Sequence, residues 1–229
     1  MVVPPILPYR SLFITGTDTG VGKTVAAAAL VHRLQRDGLR VVGMKPVASG
    51  CERTPHGLRN EDAVALQAAS ALHPDYDDVN PYALEIGTAP QLAARAAGVR
   101  IDPDVLRAAH ARLAAQADVV VVEGAGGWLA PMDDGLDQGD FARAIEAPVV
   151  LVVGLRLGCL SHARLSARAI VADGFPLLGW IGNTIDPDFV ERDAYLDLLR
   201  DALPAPCLGV LPFAPDSDSG VLAESLALP

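Results

Sequence analysis

The sequence lacks a long apolar run, a cysteine framework and a cluster of basic residues, and each absence excludes a class of protein. No apolar stretch reaches the roughly 18 residues that a membrane-spanning helix needs. Cys51, Cys159 and Cys207 are far apart and form no CxxC pair, which excludes a disulfide framework and favours a reducing cytoplasm. Clustered lysine and arginine, on which nucleic-acid and anionic-membrane surfaces depend, are missing from a chain of net charge −10. We therefore expect small molecules as partners.

The sequence also predicts neither a leader segment nor an interdomain linker. Residues 1–9 are interrupted by prolines and do not combine a basic start with a long apolar centre, so no signal peptide is predicted. No stretch rich in proline, glycine and serine divides the chain, and 51% of its 229 residues are hydrophobic. We predict one domain over residues 1–229 with one sizeable core.

What the sequence does contain is a phosphate-binding loop between a strand and a helix. The apolar strand covers residues 12–14, and the loop runs from Gly16 to Thr24. Its glycines permit the positive φ values that turn backbone N–H groups towards an anion at a helix amino terminus. Lys23 can reach the β and γ phosphates of a nucleotide, and the Thr24 hydroxyl is placed to bind Mg²⁺. The predicted ligand is a nucleoside triphosphate, although this loop is one residue longer than usual.

Apolar strands alternate with helices along the rest of the chain. Strands are predicted at residues 40–44, 119–122, 148–153, 177–182 and 207–211, and helices at 24–37, 60–69, 88–97, 102–117, 141–145, 158–173 and 188–203. A polar loop is expected up to Arg59, and Val190, Leu198 and Leu199 are expected to point inward from the last helix. The alternation predicts an α/β, single-domain P-loop NTPase-like fold with a mostly parallel central sheet flanked by helices.

Four polar residues stand where strands end or helices begin. Lys45 and Ser49 follow the second strand, Asp62 lies in the first turn of the next helix, and Glu123 follows four valines. Ligands of open α/β sheets bind at the carboxyl ends of strands, so Lys45 and Ser49 are expected to face the phosphates. Glu123 has the position in which P-loop enzymes place an acid facing Mg²⁺. The alternatives are a solvated loop lysine, an aspartate that only complements the helix dipole, and a polar strand end.

A second anion-binding feature is predicted after the strand at residues 148–153. Gly158, Cys159, Leu160 and Ser161 open a helix and offer N–H groups that have no acceptor within it. The alternative is that Gly158 only permits a tight turn. His162 is expected to be structural or exposed, because no serine or cysteine nucleophile arrangement surrounds it.

Taken together, these motifs resemble those of the dethiobiotin synthetase family. The resemblance covers residues 12 to about 213, and Gly20 departs from it because some members carry an acidic residue there. It rests on Gly16-Thr-Asp-Thr followed by Val21-Gly-Lys-Thr24, Lys45-Pro-Val-Ala-Ser49-Gly50, Leu58-Arg-Asn60, Val79-Asn-Pro-Tyr82, Val122-Glu-Gly-Ala-Gly-Gly-Trp128 and Leu157-Gly-Cys159.

The resemblance implies an ATP- and Mg²⁺-dependent cyclo-ligase of biotin biosynthesis that joins CO2 to 7,8-diaminopelargonate and gives dethiobiotin, ADP and phosphate. It implies a carbamate on one amine, phosphorylation of that carbamate by the γ-phosphate, and attack by the second amine to expel phosphate. The implied catalytic side chains are Lys45, Lys23, Thr19 and Ser49, and the implied ligands of Mg²⁺ are Thr24, Asp62 and Glu123.

The resemblance also implies the other contacts. The nucleotide would contact Gly20, Val21, Gly22, Lys23, Thr24, Val25, Glu123, Asn183, Thr184, Pro212, Phe213 and Ala214. The acceptor would contact Lys45, Ser49, Tyr82, Gly126, Gly158, Cys159, Leu160 and Ser161. The helix start at Gly158 would come from the opposite subunit of a homodimer, where it would receive the acceptor carboxylate.

Two other functions remain open from the sequence. A partitioning or positioning ATPase has a related fold, but it typically carries a second lysine in its phosphate loop, and residues 17–21 contain none. An ATP-dependent amidoligase acting on a larger carboxylate is the nearer competitor. It would usually carry a glutaminase domain with a Cys–His pair, for which we expect no room in 229 residues.

Overall fold

The computed structural model of the protein describes residues 9–214 and 218–228. The prediction that no signal peptide is present concerns residues 1–9, of which all but Tyr9 lie outside the described residues. No helix within the described ranges is long and apolar enough to cross a membrane.

The regular elements of the described residues alternate along most of the chain. The strands are β1 (Ser11–Gly16), β2 (Val41–Met44), β3 (Val47–Ser49), β4 (Glu52–Thr54), β5 (Gly57–Arg59), β6 (Tyr82–Leu84), β7 (Val119–Gly127), β8 (Pro131–Asp133), β9 (Leu136–Asp137), β10 (Val149–Leu155), β11 (Leu177–Thr184) and β12 (Cys207–Leu211). The helices are α1 (Lys23–Arg36), α2 (Glu61–Ala69), α3 (Tyr76–Val79), α4 (Pro90–Ala97), α5 (Pro103–Gln116), α6 (Gln138–Ala144), α7 (Cys159–Ala172), α8 (Arg192–Ala202) and α9 (Ser219–Leu222), followed by a 3-10 turn at Ala223–Ser225.

Six strands form one parallel sheet in the order β12-β11-β10-β1-β7-β2. The predicted α/β fold with a parallel central sheet is therefore confirmed. β1, which leads into the phosphate loop, lies beside β7, and β7 lies beside β2. Since all six strands run the same way, the chain segments that carry Thr24, Glu123 and Lys45 leave the sheet at one edge.

The sheet is buried on both faces because its strands are apolar on both sides. In β7, Val119 and Val121 belong to the core shared with α1 and α9 on one face. Val120 and Val122 belong to the core shared with α5 and α6 on the other. Burying one such side chain contributes about 1.5–3 kcal/mol before conformational entropy is counted. The four consecutive valines therefore hold the centre of the sheet in a single register.

Several short elements have no counterpart in the sequence prediction. The prediction of a loop up to Arg59 is wrong, because β4 and β5 pair there as an antiparallel hairpin. Their residues are exposed or half-buried and mostly polar, so they show none of the apolar alternation that predicts a strand. β3 pairs with β6, and β8 pairs with β9, as further two-stranded sheets.

The prediction for the helix at residues 188–203 is partly wrong. Helix α8 begins at Arg192, after Glu191 takes a left-handed conformation with φ of 62°. Val190 precedes the helix and is 74% exposed, and Leu198 is 52% exposed. The buried face carries Leu196 and Leu199 instead, three residues apart as one face of a helix requires. Leu199 is the only one of the three expected inward residues that points inward.

The carboxyl-terminal segment, for which the sequence predicts no structure, packs against α1. Leu222 and Leu226 are buried in the same core as that helix. Leu226 forms an antiparallel bridge with Gly209 in β12, and its carbonyl oxygen accepts a hydrogen bond from Arg33 Nε at 3.2 Å. The segment thus covers the outer edge of β12, which would otherwise offer unpaired backbone groups.

His110 makes the stability of this fold depend on pH. Its Nε2 lies 2.8 Å from Ser11 Oγ, its ring packs edge-on against Phe141, and burial lowers its pKa from 6.5 to about 4. Between these two values the unfolded chain binds a proton that the folded chain does not. The free energy of unfolding should therefore fall by about 1–2 kcal/mol as the pH is lowered from 7 to 5.

Urea unfolding at both pH values measures this change in stability. In His110→Gln, the free energy of unfolding should fall much less between pH 7 and pH 5. In His56→Gln, at an exposed histidine, it should fall as much as in the unchanged protein. An unaltered decrease in His110→Gln would show that other groups cause the effect.

Candidate active site

A cavity of about 850 Å³ opens at the edge of the sheet where β1, β2 and β7 end. Residues from the phosphate loop, the segment after β2, the start of α2 and the end of β7 form its wall. Of the predicted site residues, the wall includes Thr19, Gly20, Gly22, Lys23, Thr24, Val25, Lys45, Ser49, Asp62, Glu123 and Gly126. The structure therefore brings together the charged residues that are dispersed in the sequence.

The other predicted site residues lie outside this wall: Val21, Tyr82, Gly158, Cys159, Leu160, Ser161, Asn183, Thr184, Pro212, Phe213 and Ala214. The hydroxyl of Tyr82, which is half-buried, accepts a hydrogen bond from the Asp102 N–H at 2.9 Å. Ser49 does line the cavity, and its hydroxyl donates to the carbonyl oxygen of Thr88 at 2.7 Å.

The phosphate loop owes its shape to glycine at a position where no side chain fits. Gly22 caps the amino end of α1 with a left-handed φ of 81°. A Cβ atom there would overlap Nδ2 of Asn183, which donates to the carbonyl oxygen of Val21 at 2.9 Å. Asn183 thus holds the loop from behind, and the first backbone N–H groups of α1 stay free of a side-chain cap. An anion is the natural partner for those groups.

Lys23 lies folded against its own loop. Its Nζ donates to the carbonyl oxygen of Asp18 at 2.9 Å, and the side chain is almost fully buried. Burial lowers the pKa of Lys23 to about 8, and the nearby charge of Lys45 acts in the same direction. An ammonium that is poorly compensated by its surroundings is suited to bind an anionic phosphate group.

Lys45 is the centre of a buried charge cluster. Its Nζ lies 2.5 Å from Glu123 Oε1 and 2.9 Å from Asp62 Oδ2. Burial acts to lower the pKa of Lys45, but the charges of Glu123 and Asp62 raise it above its usual value. Although burial alone would raise the pKa of Asp62, its hydrogen bond and ion pair with Lys45 lower it. Lys45 is therefore a cation bound to two carboxylates, rather than the solvated loop lysine of the alternative reading.

The oxygens around Lys45 fit a magnesium ion. Thr24 Oγ1 donates to Glu123 Oε1 at 3.0 Å, and the buried Glu123 Oε2 has no hydrogen-bond partner among the described residues. Those residues contain no cluster of three or more His, Cys, Asp or Glu that would form an all-protein metal cage. Mg²⁺ commonly uses one or two carboxylates and completes its shell with water and substrate phosphates. Two carboxylates and one hydroxyl beside the phosphate loop match that pattern.

A buried tyrosine, not predicted from the sequence, joins the elements that carry Asp62 and Lys45. The Tyr76 hydroxyl accepts from the Asn60 N–H at 2.8 Å and donates to Asn80 Oδ1 at 3.1 Å. Asn60 caps α2, which carries Asp62, and Asn80 Nδ2 donates to the Lys45 carbonyl oxygen at 2.7 Å. No local pattern marks Tyr76 for this role, because Asn60, to which it connects the end of its own helix, lies in another element.

Lys23 and Lys45 are the only lysines in the 229-residue sequence. Every other basic side chain is arginine or histidine. A compact ammonium forms hydrogen bonds in several directions, whereas the planar guanidinium of arginine is larger and has a fixed geometry. The site therefore holds the one type of cation that the rest of the molecule does not use.

The start of α7 lies near the phosphate loop of the same chain. Gly158 caps the helix with a left-handed φ of 95° and leaves its first N–H groups without a side-chain cap. Arg156, two residues earlier, donates from Nη2 to Asp18 Oδ2 at 2.7 Å. The predicted second anion site is thus tied to the phosphate loop, although it does not line the cavity.

Comparisons with known structures identify the fold. MinD from Pyrococcus horikoshii OT3, complexed with Mg-ADP, is 18% identical with a TM-score of 0.53, covering 95% of this chain and 87% of that one. The signal recognition particle receptor FtsY from Elizabethkingia anophelis, in complex with GDP, is 17% identical with a TM-score of 0.52, covering 98% of this chain and 65% of that one. At such identities the likeness extends to the fold alone.

Sequence comparisons identify the family. A family model described as an AAA domain matches residues 10–220. The ATP-dependent dethiobiotin synthetase BioD of Xanthomonas euvesicatoria pv. vesicatoria (strain 85-10) is 53% identical over 223 residues, 97% of this chain and 100% of that protein. The protein of the same name from Xylella fastidiosa (strain 9a5c) is 57% identical over 209 residues, 91% of this chain and 92% of that protein. The chain therefore belongs to the family of ATP-dependent dethiobiotin synthetases.

Proposed function

We propose that this protein uses ATP and Mg²⁺ to join CO2 to 7,8-diaminopelargonate and to close the ureido ring of dethiobiotin. The observation that carries the proposal is the cluster of Lys45, Asp62 and Glu123 beside a phosphate loop. Relatives more than 50% identical over nearly their whole length are named as ATP-dependent dethiobiotin synthetases. The three free cysteines fit a reducing compartment such as the cytoplasm.

Thr24, Asp62 and Glu123 would hold Mg²⁺, which supplies charge neutralisation for the phosphate oxygens. The unpartnered Glu123 Oε2 supports this assignment. Lys45 donates to the same carboxylates that would bind the metal. Because Lys45 binds Glu123 Oε1, the free Oε2 would let this carboxylate bind the metal and the ammonium together.

The reaction would need positioned cations rather than a protein nucleophile. One amine of the acceptor attacks CO2 and forms a carbamate, and a carbamate oxygen then takes the γ-phosphoryl group from ATP. The second amine attacks the carbamate carbon, and the C–O bond to phosphate breaks. Lys23 and Lys45 would stabilise the negative charge that moves between these groups, with Thr19 and Ser49 as hydrogen-bond donors.

The cysteines are poorly placed to act as nucleophiles in place of this scheme. Cys51 is buried near the cavity, its thiol donates to the Ala48 carbonyl oxygen at 3.5 Å, and burial raises its pKa. Burial also raises the pKa of Cys159 at the start of α7. Thiols in this state are largely protonated and unreactive, which favours a direct phosphoryl transfer to the carbamate.

The nucleotide base would lie beyond the phosphate loop, against the ends of β11 and β12. Asn183 in β11 contacts the loop at Val21 and is in register with Leu211 in β12. The next residues, Thr184 and Pro212, therefore lie side by side. We assign the adenine to this place, between Asn183 and the segment of Pro212, Phe213 and Ala214.

We also propose a homodimer in which each subunit completes the other's acceptor site. The acceptor carries a carboxylate at the far end of an apolar chain, and the phosphate loop would already hold ATP. The uncapped start of α7, at Gly158, Cys159, Leu160 and Ser161, offers N–H groups for that carboxylate. Leu157 beside it is 80% exposed, which suits a subunit contact, and Tyr82 would wall the apolar chain.

The direct assay combines purified protein, 7,8-diaminopelargonate, bicarbonate and MgATP, with dethiobiotin detected by mass spectrometry. We expect dethiobiotin and phosphate to form in equal amounts. Hydrolysis of ATP without dethiobiotin would instead favour a switch-type ATPase.

Substitution of either lysine should reduce turnover far more than stability. We expect Lys23→Ala and Lys45→Ala each to lower kcat/KM by about 100-fold or more, because both cations act on charge that develops during transfer. Lys45→Met, which keeps the length of the side chain, separates lost charge from lost packing. Near-normal turnover in either Lys45 variant would remove that residue from the catalytic role.

The three metal ligands should behave as one unit. Asp62→Ala and Glu123→Ala should each weaken binding of Mn²⁺, which serves as a probe for Mg²⁺. The double variant should lose less Mn²⁺-binding free energy than the two single variants lose together. Electron paramagnetic resonance in the presence of ATP measures the binding. If Asp62→Ala binds Mn²⁺ as the unchanged protein does, Asp62 is not a metal ligand and serves only Lys45 and the dipole of α2.

Mixing two inactive variants tests whether sites are shared between subunits. In a heterodimer of Lys45→Ala with Gly158→Phe, one site has both defects and the other has neither. Random mixing should restore about a quarter of full activity, because half of the dimers are mixed and each has one intact site. Gly174→Phe, at another glycine of positive φ beyond the end of α7, serves as the control. A fully active monomer, or inactive verified heterodimers, would contradict shared sites.

A further inference from the structure

Gln138, the first residue of α6, has a buried amide directed at the backbone behind the cavity. It is 1% exposed. Its Nε2 donates to the carbonyl oxygens of Ala125 at 2.8 Å, Gly127 at 2.7 Å and Ala130 at 3.4 Å. Its Oε1 accepts from the Ala125 N–H at 2.8 Å. One side chain therefore binds four backbone groups of the segment that follows Glu123.

This segment needs an outside partner because it bulges away from the sheet. Between β1 and β7, Ile14 is in register with Glu123, and Gly16 is in register with Gly127. One residue of β1 thus faces three residues of β7, Gly124 to Gly126, which we call the glycine bulge. The amide of Gln138 both accepts from and donates to Ala125, as a residue of a neighbouring strand would do. It thereby pairs partly buried backbone groups that the neighbouring strand does not reach.

The contact is tight and leaves no room for another arrangement. A Cβ atom at Gly124 would overlap Gln138 Oε1. The amino end of α6 is itself fixed by a capping box. The Asp137 side chain accepts a hydrogen bond from the backbone N–H of Asp140, and the Asp140 side chain accepts one from the backbone N–H of Asp137. Gln138 is thus held on a fixed element, and the glycine bulge rests on it.

The front of the bulge faces the cavity, whereas Gln138 lies behind it. Ala125 and Gly126 line the cavity, and Gln138 does not. The carbonyl oxygen of Gly124 is 3.5 Å from Lys45 Nζ. If the phosphate loop binds the nucleotide, the part of the cavity that Lys45, Ala125 and Gly126 line is left for the acceptor.

We infer that Gln138 is a positioning residue that sets the shape of the glycine bulge and, through it, the wall against which the acceptor lies opposite Lys45. The part that concerns the acceptor rests on the proposed function. The part that concerns the bulge does not, because it depends only on the four hydrogen bonds. Loss of the amide should harm use of the acceptor and spare nucleotide binding, which depends on the separate backbone of the phosphate loop.

Hydrogen exchange tests the bulge without any substrate. In Gln138→Met, which keeps the volume but loses the amide, the backbone N–H groups of residues 125–130 should exchange about 10-fold faster or more. The matched control is Gln35→Met, since Gln35 Nε2 donates to the carbonyl oxygen of Ala69 at 2.9 Å, away from the cavity. That control should leave exchange at residues 125–130 unchanged. Unchanged exchange in Gln138→Met would overturn the inference.

Kinetics test the effect on the acceptor. We expect Gln138→Met and Gln138→Glu to lower kcat/KM for the diamine by about 100-fold, a size typical of a misplaced reacting group. The Kd for ADP should change by no more than about 3-fold, and the fraction of protein that binds ADP should stay near one. If kcat/KM for the diamine and the affinity for ADP fall by similar factors, or if neither falls, Gln138 has only a structural role. If the unchanged protein makes no dethiobiotin, the proposed function fails, and hydrogen exchange still decides whether Gln138 holds the bulge.

Discussion

The buried ion pair between Lys45 and Glu123 is the interaction on which the rest of the site depends. Two opposite charges taken out of water stabilise each other only while both are present, because removing one leaves the other uncompensated. Lys45 follows β2, Glu123 lies in β7, and Asp62 reaches the same ammonium from α2. The parallel order of β1, β7 and β2 brings these segments to one edge of the sheet. The sheet topology is thus what makes a dispersed set of charges into one cluster.

The fold and the cluster carry different information about this protein. The architecture of the sheet is shared with proteins such as MinD at 18% identity, so it identifies the fold and no more. The family membership comes from relatives that are more than 50% identical along the chain. Function within this fold has to be argued from the site itself, where Lys45, from outside the phosphate loop, pairs with two carboxylates.

Features set by local sequence could be predicted, whereas those set by distant contacts could not. The glycines before Lys23 and the valines before Glu123 indicate a loop and a central strand without any knowledge of the tertiary structure. Val190 was misplaced because the left-handed turn before α8 leaves no mark in the hydrophobic pattern. Tyr76 and Gln138 could not be found from sequence, since the backbone groups that they bind, at Asn60 and Ala125, are brought near only by the fold. Local patterns therefore predict which segments form the site, and the contacts between segments supply its supports.

The confinement of both lysines to the cavity also determines how the molecule responds to amine chemistry. An acylating reagent finds ε-amino groups only at Lys23 and Lys45, because every remaining strong base is an arginine, which such reagents do not modify. Lys23, whose pKa is about 8, is about half unprotonated at mildly alkaline pH. Amine coupling to a label or a surface therefore modifies either the α-amino group or a lysine of the cavity. For the same reason, protection of Lys23 from acylation reports whether a ligand occupies the cavity.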